Sequence, residues 1–556
     1  MLLDKIEIVG FRGINRLSLQ IKELNAFLGE NSWGKSSLFD ALSLFLSGSN
    51  KSYKFTAEDF HQPPNETLAP AKSIHLVFTF KEQHQGESLE NRYKSIYPIW
   101  NQEKKGLRYI YYQVDAEYNA SSNLITRRYF LNNKGEEKFS GVTDLASLVN
   151  EFLSFVPVLR MGGEPQRVQQ DDCEATRCSQ RERSEARIRH IFTNLTHSSQ
   201  QLSDNQRGQG YEALAYLFDH YLFKRYAGID QHGIDFKHDI QTPHGFSFSV
   251  LTDFNALLKS GNKKDRAMLL LILGEFLQAR GNQLLRRGAT PILLLEDPEN
   301  DLHPVNLAIT WRFFSLLPMQ KLVFTNSSQL LSFFPLSRIQ RLVRYPEVIK
   351  SYALNVENFS DSDLRKITFH VRMNRPQSLF ARAWLLVEGE TETWLLTELA
   401  RLCDQHFIVE GVQIIEFAQC GLSPLIKLAQ DLNIEWHVLT DGDMAGQKYA
   451  SRVVEMLHSG DPLTNRLTLL PAFDIEHFLF ENGFADVYYQ AAGLNNRELG
   501  SLSRQKVIYK AVHKHSKPEL ALAITSAASE RGADSIPPLL KRLFARLIGL
   551  ARTQSG

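Results

Sequence analysis

The sequence predicts an α/β protein built as two successive strand–helix units, and three observations predict it. Near the start, a buried apolar run, "LNAFLG" (24–29), passes through a glycine-rich loop into the helical pattern "SSLFDALSLFLSG" (36–48). Far downstream, "TPILLLEDPENDLHP" (290–304) is a second fully apolar run that ends on acids. Beyond residue 378 the alternation restarts, with "RAWLLVEGETETWLLTELARL" (382–402) and "IEWHVLTDGD" (434–443) each reading as a strand with an acidic end. Apolar strands alternating with helices of 3.6-residue period mean a largely parallel sheet.

Taken in order, "DKIEIVGF" (4–11) and "LSLQI" (17–21) alternate as half-buried strands, and "SIHLVFTF" (73–80) and "RYIYYQV" (108–114) add more. The stretch "RVQQDDCEATRCSQRERSEARIRHIF" (167–192) is polar and charged without strand pattern, and reads as a helical insertion. Its basic part, 181–192, is interleaved with acids, which fits a solvated helix face better than a nucleic-acid contact. "QKLVFTNSSQLL" (320–331) is another buried strand, and the tail beyond about 500 is mostly helical. The expected division is a first unit in two parts, 1–155 and 241–375, around an insertion at 156–240; a second unit at 378–500; and a helical extension at 501–556.

The chain has 556 residues, enough for two to four domains with their own cores. A net charge of +1 gives no global pull toward nucleic acid or membrane, so any DNA contact has to come from local basic patches or bridging metal ions. The four cysteines form no C-x-x-C pair, which argues against a zinc site or a disulfide framework and fits a reducing cytoplasm. "MLLDKIEIVGF" lacks the apolar core of a signal peptide, and no run of about 18 apolar residues is present to span a membrane.

"GENSWGKSS" matches G-x-x-x-x-G-K-S at Gly29, Gly34, Lys35 and Ser36, between a strand and a helix. In that setting backbone N–H groups around Asn31 and the helix N-terminus cradle phosphates, Lys35 reaches the terminal phosphates, and Ser36, with Ser37 beside it, faces Mg²⁺. The partner is Glu296–Asp297: the first acid can hold Mg²⁺ and the second can orient an attacking water. The cofactor implied is ATP with Mg²⁺.

With "IEIVGFRGI" ahead of the loop and "EDPENDLHP" far behind it, the chain resembles the ABC-type ATPase heads of the RecF, SMC and OLD proteins over roughly residues 1–350. The resemblance implies a head dimer, with a signature Ser-Gly of one subunit closing on the ATP of the other. Ser260 and Gly261, in "KSGNKKDRAMLLL", are the candidates, and they read equally well as a turn before a helix. One departure stands out. Such heads carry Thr-His-Ser after the last core strand, whereas "FTNSSQ" here puts Asn326 in the histidine's place, and asparagine cannot carry an imidazolium charge. Nucleotide binding is expected to survive this change, with slow hydrolysis.

In the second half, Glu388 ends one strand, followed by Gly389 and Glu392, and Asp441 and Asp443 end another. Carboxylate oxygens are hard ligands that suit Mg²⁺, Mn²⁺ or Ca²⁺ rather than zinc, and acids crowded together need a cation to offset their repulsion. In an extended D-x-D both side chains point the same way, so the sequence predicts that Asp441 and Asp443 reach one ion together.

This arrangement resembles the Toprim fold, and an ABC head followed by Toprim resembles the OLD ("overcoming lysogenisation defect") family, single-chain bacterial type. The resemblance implies a two-metal DNA endonuclease or nickase in which one ion activates water and the other stabilises the leaving 3′ oxygen. It also implies a further acid in "FDIEHFL", Glu476 ahead of Asp474, and a lysine at the scissile phosphate, Lys517 ahead of Lys514. Expected partners are DNA, a second copy of the chain and, in some relatives, a UvrD-like helicase subunit. The competing reading is a RecF/SMC-like repair ATPase that binds DNA without cutting it, which has no need of the second acidic cluster. A topoisomerase needs a tyrosine-bearing module and a primase a zinc module, and the sequence offers neither.

Overall fold

The computed structural model describes residues 1–30, 33–46, 53–63, 71–102, 106–118, 123–139, 144–161, 289–300, 307–308, 311, 314–315, 319–458, 460–494 and 502–553. Asn31, Ser260, Gly261 and nearly all of the expected insertion lie outside them. The chain divides into two compact units, Met1–Phe334 with Arg338–Ser351, and Tyr352–Gly556 with Pro335–Ser337.

Among the described residues, the first unit is built on one mixed sheet of twelve strands. Strand Leu2–Phe11 buries Leu3, Ile6 and Ile8 while Lys5 and Glu7 point outward, so its period-2 pattern fixes which face meets the core. It pairs antiparallel with Ile14–Gln20 on one side and Ser73–Lys81 on the other. Arg108–Tyr118 and Leu124–Leu131 extend that antiparallel wing. The other wing is parallel: Leu24–Leu28 lies between Ile339–Arg344 and Gln320–Phe324, and Gln320–Phe324 lies beside Ile292–Glu296. These central strands are buried along nearly their whole length because both faces are covered. Their order brings the C-terminal ends of three strands, at Leu28, Glu296 and Phe324, to one edge.

The second unit has a four-stranded parallel sheet in the order Val412–Glu416, Ala383–Val387, Glu435–Thr440, Leu467–Leu469. The C-terminal helices belong to the same core as this sheet. Val507, Ala511, Leu520, Ile524, Leu540 and Phe544 are buried in one cluster with Ala383, Leu385 and Val387. Glu388 and Asp441 therefore emerge together at the carboxyl edge of adjacent strands, where open α/β sheets usually bind ligands. No helix among the described residues is long and apolar enough to cross a membrane.

Candidate functional site

In the first unit, the loop after Leu24–Leu28 turns at Gly34, whose φ of +85° is the left-handed region, and helix Lys35–Phe45 starts at once. A Cβ at Gly34 would also lie 2.7 Å from Ile349 Cδ1, so glycine is required twice over. Gly29 stands at the strand end and Ser36 is exposed at the helix start. Ser37 Oγ accepts a hydrogen bond from the Gly13 N–H at 3.1 Å, which ties the "FRG" turn to this helix. Neighbouring Arg12 pairs with Asp40 on the helix and, at 2.9 Å, with buried Asp59.

The strand order puts Lys35 against the acidic strand end. Its ammonium donates to Asn326 Oδ1, and Asn326 Nδ2 donates to Asp297 Oδ1 at 3.4 Å. Burial lowers the Lys35 pKa, while Asp297 and Glu299 pull it back up. Asp297 has its own pKa raised by burial and then by Glu299, and its φ of +40° is unusual for a non-glycine residue. Glu296 is raised by burial, against an ion pair to Arg160 at 3.1 Å. Glu299 is a residue that the sequence reading missed. Its Oε1 accepts from the Thr325 hydroxyl at 2.6 Å and the Asn326 N–H at 3.0 Å, while Oε2 is buried with no partner. The signal was present in "EDPEN": a third acid two residues past Asp297, in the loop that follows the same strand end.

In the second unit, strand Ala383–Val387 delivers Glu388, and Gly389 caps helix Glu390–Leu402. Glu392, at the third position of that helix, folds back so that its Oε2 accepts the Gly389 N–H, half of a capping box. Strand Glu435–Thr440 ends one residue before Asp441. Asp443 is the N-cap of helix Met444–Glu455, and its Oδ1 accepts the Gly446 N–H at 2.6 Å. Asp443 itself keeps extended backbone, with φ −76° and ψ −179°. Asp441 opens a turn and Asp443 closes it by capping, because a helix follows with no room for further strand. The two glycines are needed for close approach. A Cβ at Gly442 would stand 2.3 Å from Ala472 O, and one at Gly446 only 1.9 Å from Asp441 O.

The third group comes from helix Ile475–Leu479. Asp474 caps it, accepting from the His477 N–H at 2.7 Å and holding the His477 ring at 2.6 Å. Glu476 is 7% exposed; its Oε1 meets Lys517 Nζ at 2.8 Å and its Oε2 is buried with no partner. Lys517 is the first residue of helix Lys517–Arg531, while the Lys514 ammonium lies over Gly493, at the end of helix Ala485–Ala492.

The electrostatics tie these acids together. Asp441 is pushed up to about 8, first by burial and then by Glu392, Glu388, Asp474 and Glu476. Glu392 rises to about 7, by burial above all, with Glu476 and Glu388 adding. Glu388 rises through burial and Asp443. Lys517 is raised by Glu476, Asp474 and Glu392, against burial. Tyr488, buried with an unpartnered hydroxyl, is raised by burial and by the same Glu476 and Asp474. Asp474, the sequence's second choice behind Glu476, belongs to the same group of acids, and Tyr488, which carries no strand-end signature, lies beside it.

A hard divalent cation fits this donor set: it is all oxygen, it repels itself, and it contains a buried carboxylate oxygen that nothing satisfies. Among the described residues no three acidic, histidine or cysteine side chains stand together as a ready coordination group. Glu392 and Asp443 are turned onto backbone N–H groups, so closing a shell requires those carboxylates to rotate.

The fold and sites define an α/β protein in which a unit with a P-loop sequence at a strand end precedes a unit with a parallel sheet and an acidic strand edge. The chain belongs to the family described as "Protein of unknown function (DUF2813)", whose model matches residues 1–378. Residues 379–443 match the TOPRIM domain of overcoming lysogenization defect protein-like sequences. The chain is 39% identical over 554 residues, 99% of both chains, to "Uncharacterized protein YbjD" of Escherichia coli (strain K12). It is similar to the C-terminal region of the Burkholderia pseudomallei OLD protein at 20% identity, covering 31% of this chain and 99% of that one with a TM-score of 0.27. It is also similar to the SMC head domain from Thermotoga maritima at 13% identity, covering 64% of this chain and 100% of that one with a TM-score of 0.30.

Proposed function

We propose that this protein is an ATP-binding, divalent-metal-dependent DNA endonuclease or nickase, acting in phage defence or DNA repair. The observation that carries the reading is Asp441, held among Glu388, Glu392, Asp474 and Glu476 with its pKa pushed up to about 8, beside a lysine that reaches into the same acids. Such crowding costs stability unless the site has a cationic ligand.

Glu388, Glu392, Asp441, Asp443 and Glu476 would hold Mg²⁺ or Mn²⁺, and a bound pair supplies an activated water and stabilises the leaving 3′ oxygen. Lys517 sits where it can neutralise the scissile phosphate, and its pairing with Glu476 fixes its direction. In the head, Gly29, Gly34, Lys35, Ser36 and Ser37 bind the ATP phosphates, and Ser36 with Glu296 faces the Mg²⁺ that accompanies them. Asp297 is placed to orient water, and Asn326 takes the position of a γ-phosphate sensor. A homodimer, closed by Ser260 and Gly261 of the second copy, completes the nucleotide site. The phrase "overcoming lysogenization defect" in the matched domain's description supports the phage-related setting.

The test uses supercoiled plasmid with Mg²⁺ or Mn²⁺, with and without ATP, beside Asp441→Ala and Lys35→Ala. Nicking or linearisation that Asp441→Ala abolishes is expected. DNA binding with no cutting under any condition would leave the repair-ATPase reading in its place.

A further inference from the structure

Helix Arg504–Lys514, "RQKVIYKAVHK", contains no acid. It buries Val507, Ile508 and Ala511 in the core that also takes Ile475, Phe478 and Leu479 of the helix bearing Glu476. The opposite face exposes Lys506, Tyr509, Lys510 and His513. These positions are i, i+3, i+4 and i+7, one continuous stripe.

Two features set this stripe apart from an ordinary solvated face. Lys506, Lys510 and Lys514 stack at i, i+4 and i+8, an arrangement of like charges that destabilises a helix unless a polyanion offsets it. Between them Tyr509 is 67% exposed, its ring meeting His513 edge-on at 5.1 Å. The flanking charges are otherwise engaged: Arg504 pairs with Glu481, His515 with Glu519 at 3.4 Å, and Lys514 lies over Gly493. The helix then leads in three residues to Lys517, which reaches Glu476. The stripe's last residue, His513, is four residues from Lys517, a span of at most about 14 Å, so the stripe ends within that distance of the lysine that meets the carboxylate cluster.

We propose that the stripe Lys506–Tyr509–Lys510–His513 docks a DNA strand with an unstacked base, the lysines taking consecutive phosphates and Tyr509 stacking on that base. Charge complementarity selects a polyanion, and the exposed ring between lysines selects one that offers a π-face, namely a single-stranded or locally opened segment. This deepens the endonuclease reading and rests on it for the identity of the substrate.

The test measures anisotropy of a fluorescein-labelled single strand, and of its duplex, over a salt titration of the full-length chain carrying Asp441→Ala so that substrate stays intact. Lys506→Gln with Lys510→Gln should lower the slope of log affinity against log salt by about 1.4 on the single strand, about 0.7 for each lost phosphate contact. Tyr509→Ala should weaken single-strand binding about fivefold or more and duplex binding less, with Tyr509→Phe restoring it. An unchanged slope and affinity in these variants overturns the docking face. Equal loss on duplex and single strand for Tyr509→Ala overturns the stacking role. Cleavage by the otherwise unaltered chain is scored separately: strand binding that depends on the stripe, without cleavage, refutes the nuclease reading and leaves the docking surface standing.

Discussion

Lys517 Nζ lies 2.8 Å from Glu476 Oε1, joining the first residue of one helix to the second residue of another across the carboxylate cluster. The Lys517 side chain is more than half exposed while the Glu476 side chain is 9% exposed. The exposed end of this pair is therefore the one that can turn toward a substrate, while the buried end stays with the acids.

Replacing Lys517 with methionine keeps the stem and removes the charge. The pair is only half exposed, and losing it leaves the buried Glu476 carboxylate without its counter-charge, so the melt is compared with Mg²⁺ present, where a cation offsets the acids. A single charge aimed at a developing anion is worth on the order of a hundredfold in rate. Plasmid nicking should therefore fall about a hundredfold in Lys517→Met while the melt in Mg²⁺ changes little. A large drop in melting temperature with little loss of nicking would make Lys517 a structural residue.

Asp441 makes a prediction about pH. Its pKa rises from an ordinary 3.8 to about 8 in the fold without cation. A folded state that keeps a proton its unfolded chain has released loses stability as pH rises. The contribution is fully present below about 4 and gone above about 8. In EDTA the thermal melt should fall across that window, Asp441→Asn should flatten the fall, and Mg²⁺ should restore stability most at the alkaline end. A melt that rises with pH over this range in EDTA would contradict the crowded arrangement.

Gly446 shows how tightly the turn is drawn. Any Cβ there meets the Asp441 carbonyl oxygen, a backbone atom that cannot swing away. Overpacking of this kind typically costs about 1–3 kcal/mol. Gly446→Ala should lower the melting temperature of the chain and abolish nicking by displacing Asp441. Gly549, in helix Pro538–Thr553 with nothing within 4 Å, is the control: alanine there should be neutral or stabilising by about 0.5–1 kcal/mol.

The two strand-end sites were legible because each is written in local sequence. A fully apolar strand followed by Gly-x-x-x-x-Gly-Lys-Ser or by Glu-Gly has few other meanings, and the parallel sheets then line up the ends. What escaped reading is what the chain brings together over long distances. Nothing in the sequence near Glu296 announces Arg160, which reaches it across a gap of 136 residues. Glu299 could be seen as an acid but not as the acceptor for Thr325 and Asn326 on a neighbouring strand end. The D-x-D was read as a pair of ligands, and its second use, capping the next helix, was not. Asp at a helix N-cap satisfies backbone N–H groups, so one oxygen of Asp443 is held by the Gly446 N–H.

Glu299 also separates charge from hydrogen bonding at the proposed nucleotide site. Its Oε1 supports Thr325 and Asn326, and Asn326 in turn holds Lys35. Glu299→Ala leaves the fully buried Thr325 without an acceptor, a loss of about 1–3 kcal/mol for an unsatisfied buried group, and should weaken ATP binding by freeing Asn326. Glu299→Gln keeps an acceptor oxygen in the same place and removes only the negative charge, which otherwise opposes a triphosphate arriving at Lys35. It should preserve the melt and tighten ATP binding several-fold. Trp33, buried in the loop between Gly29 and Gly34 under the Arg341 guanidinium, provides the readout through its fluorescence on ATP titration. If Glu299→Gln weakens ATP binding as much as Glu299→Ala does, the charge itself is needed, and Glu299 acts on the nucleotide's Mg²⁺ rather than through Asn326.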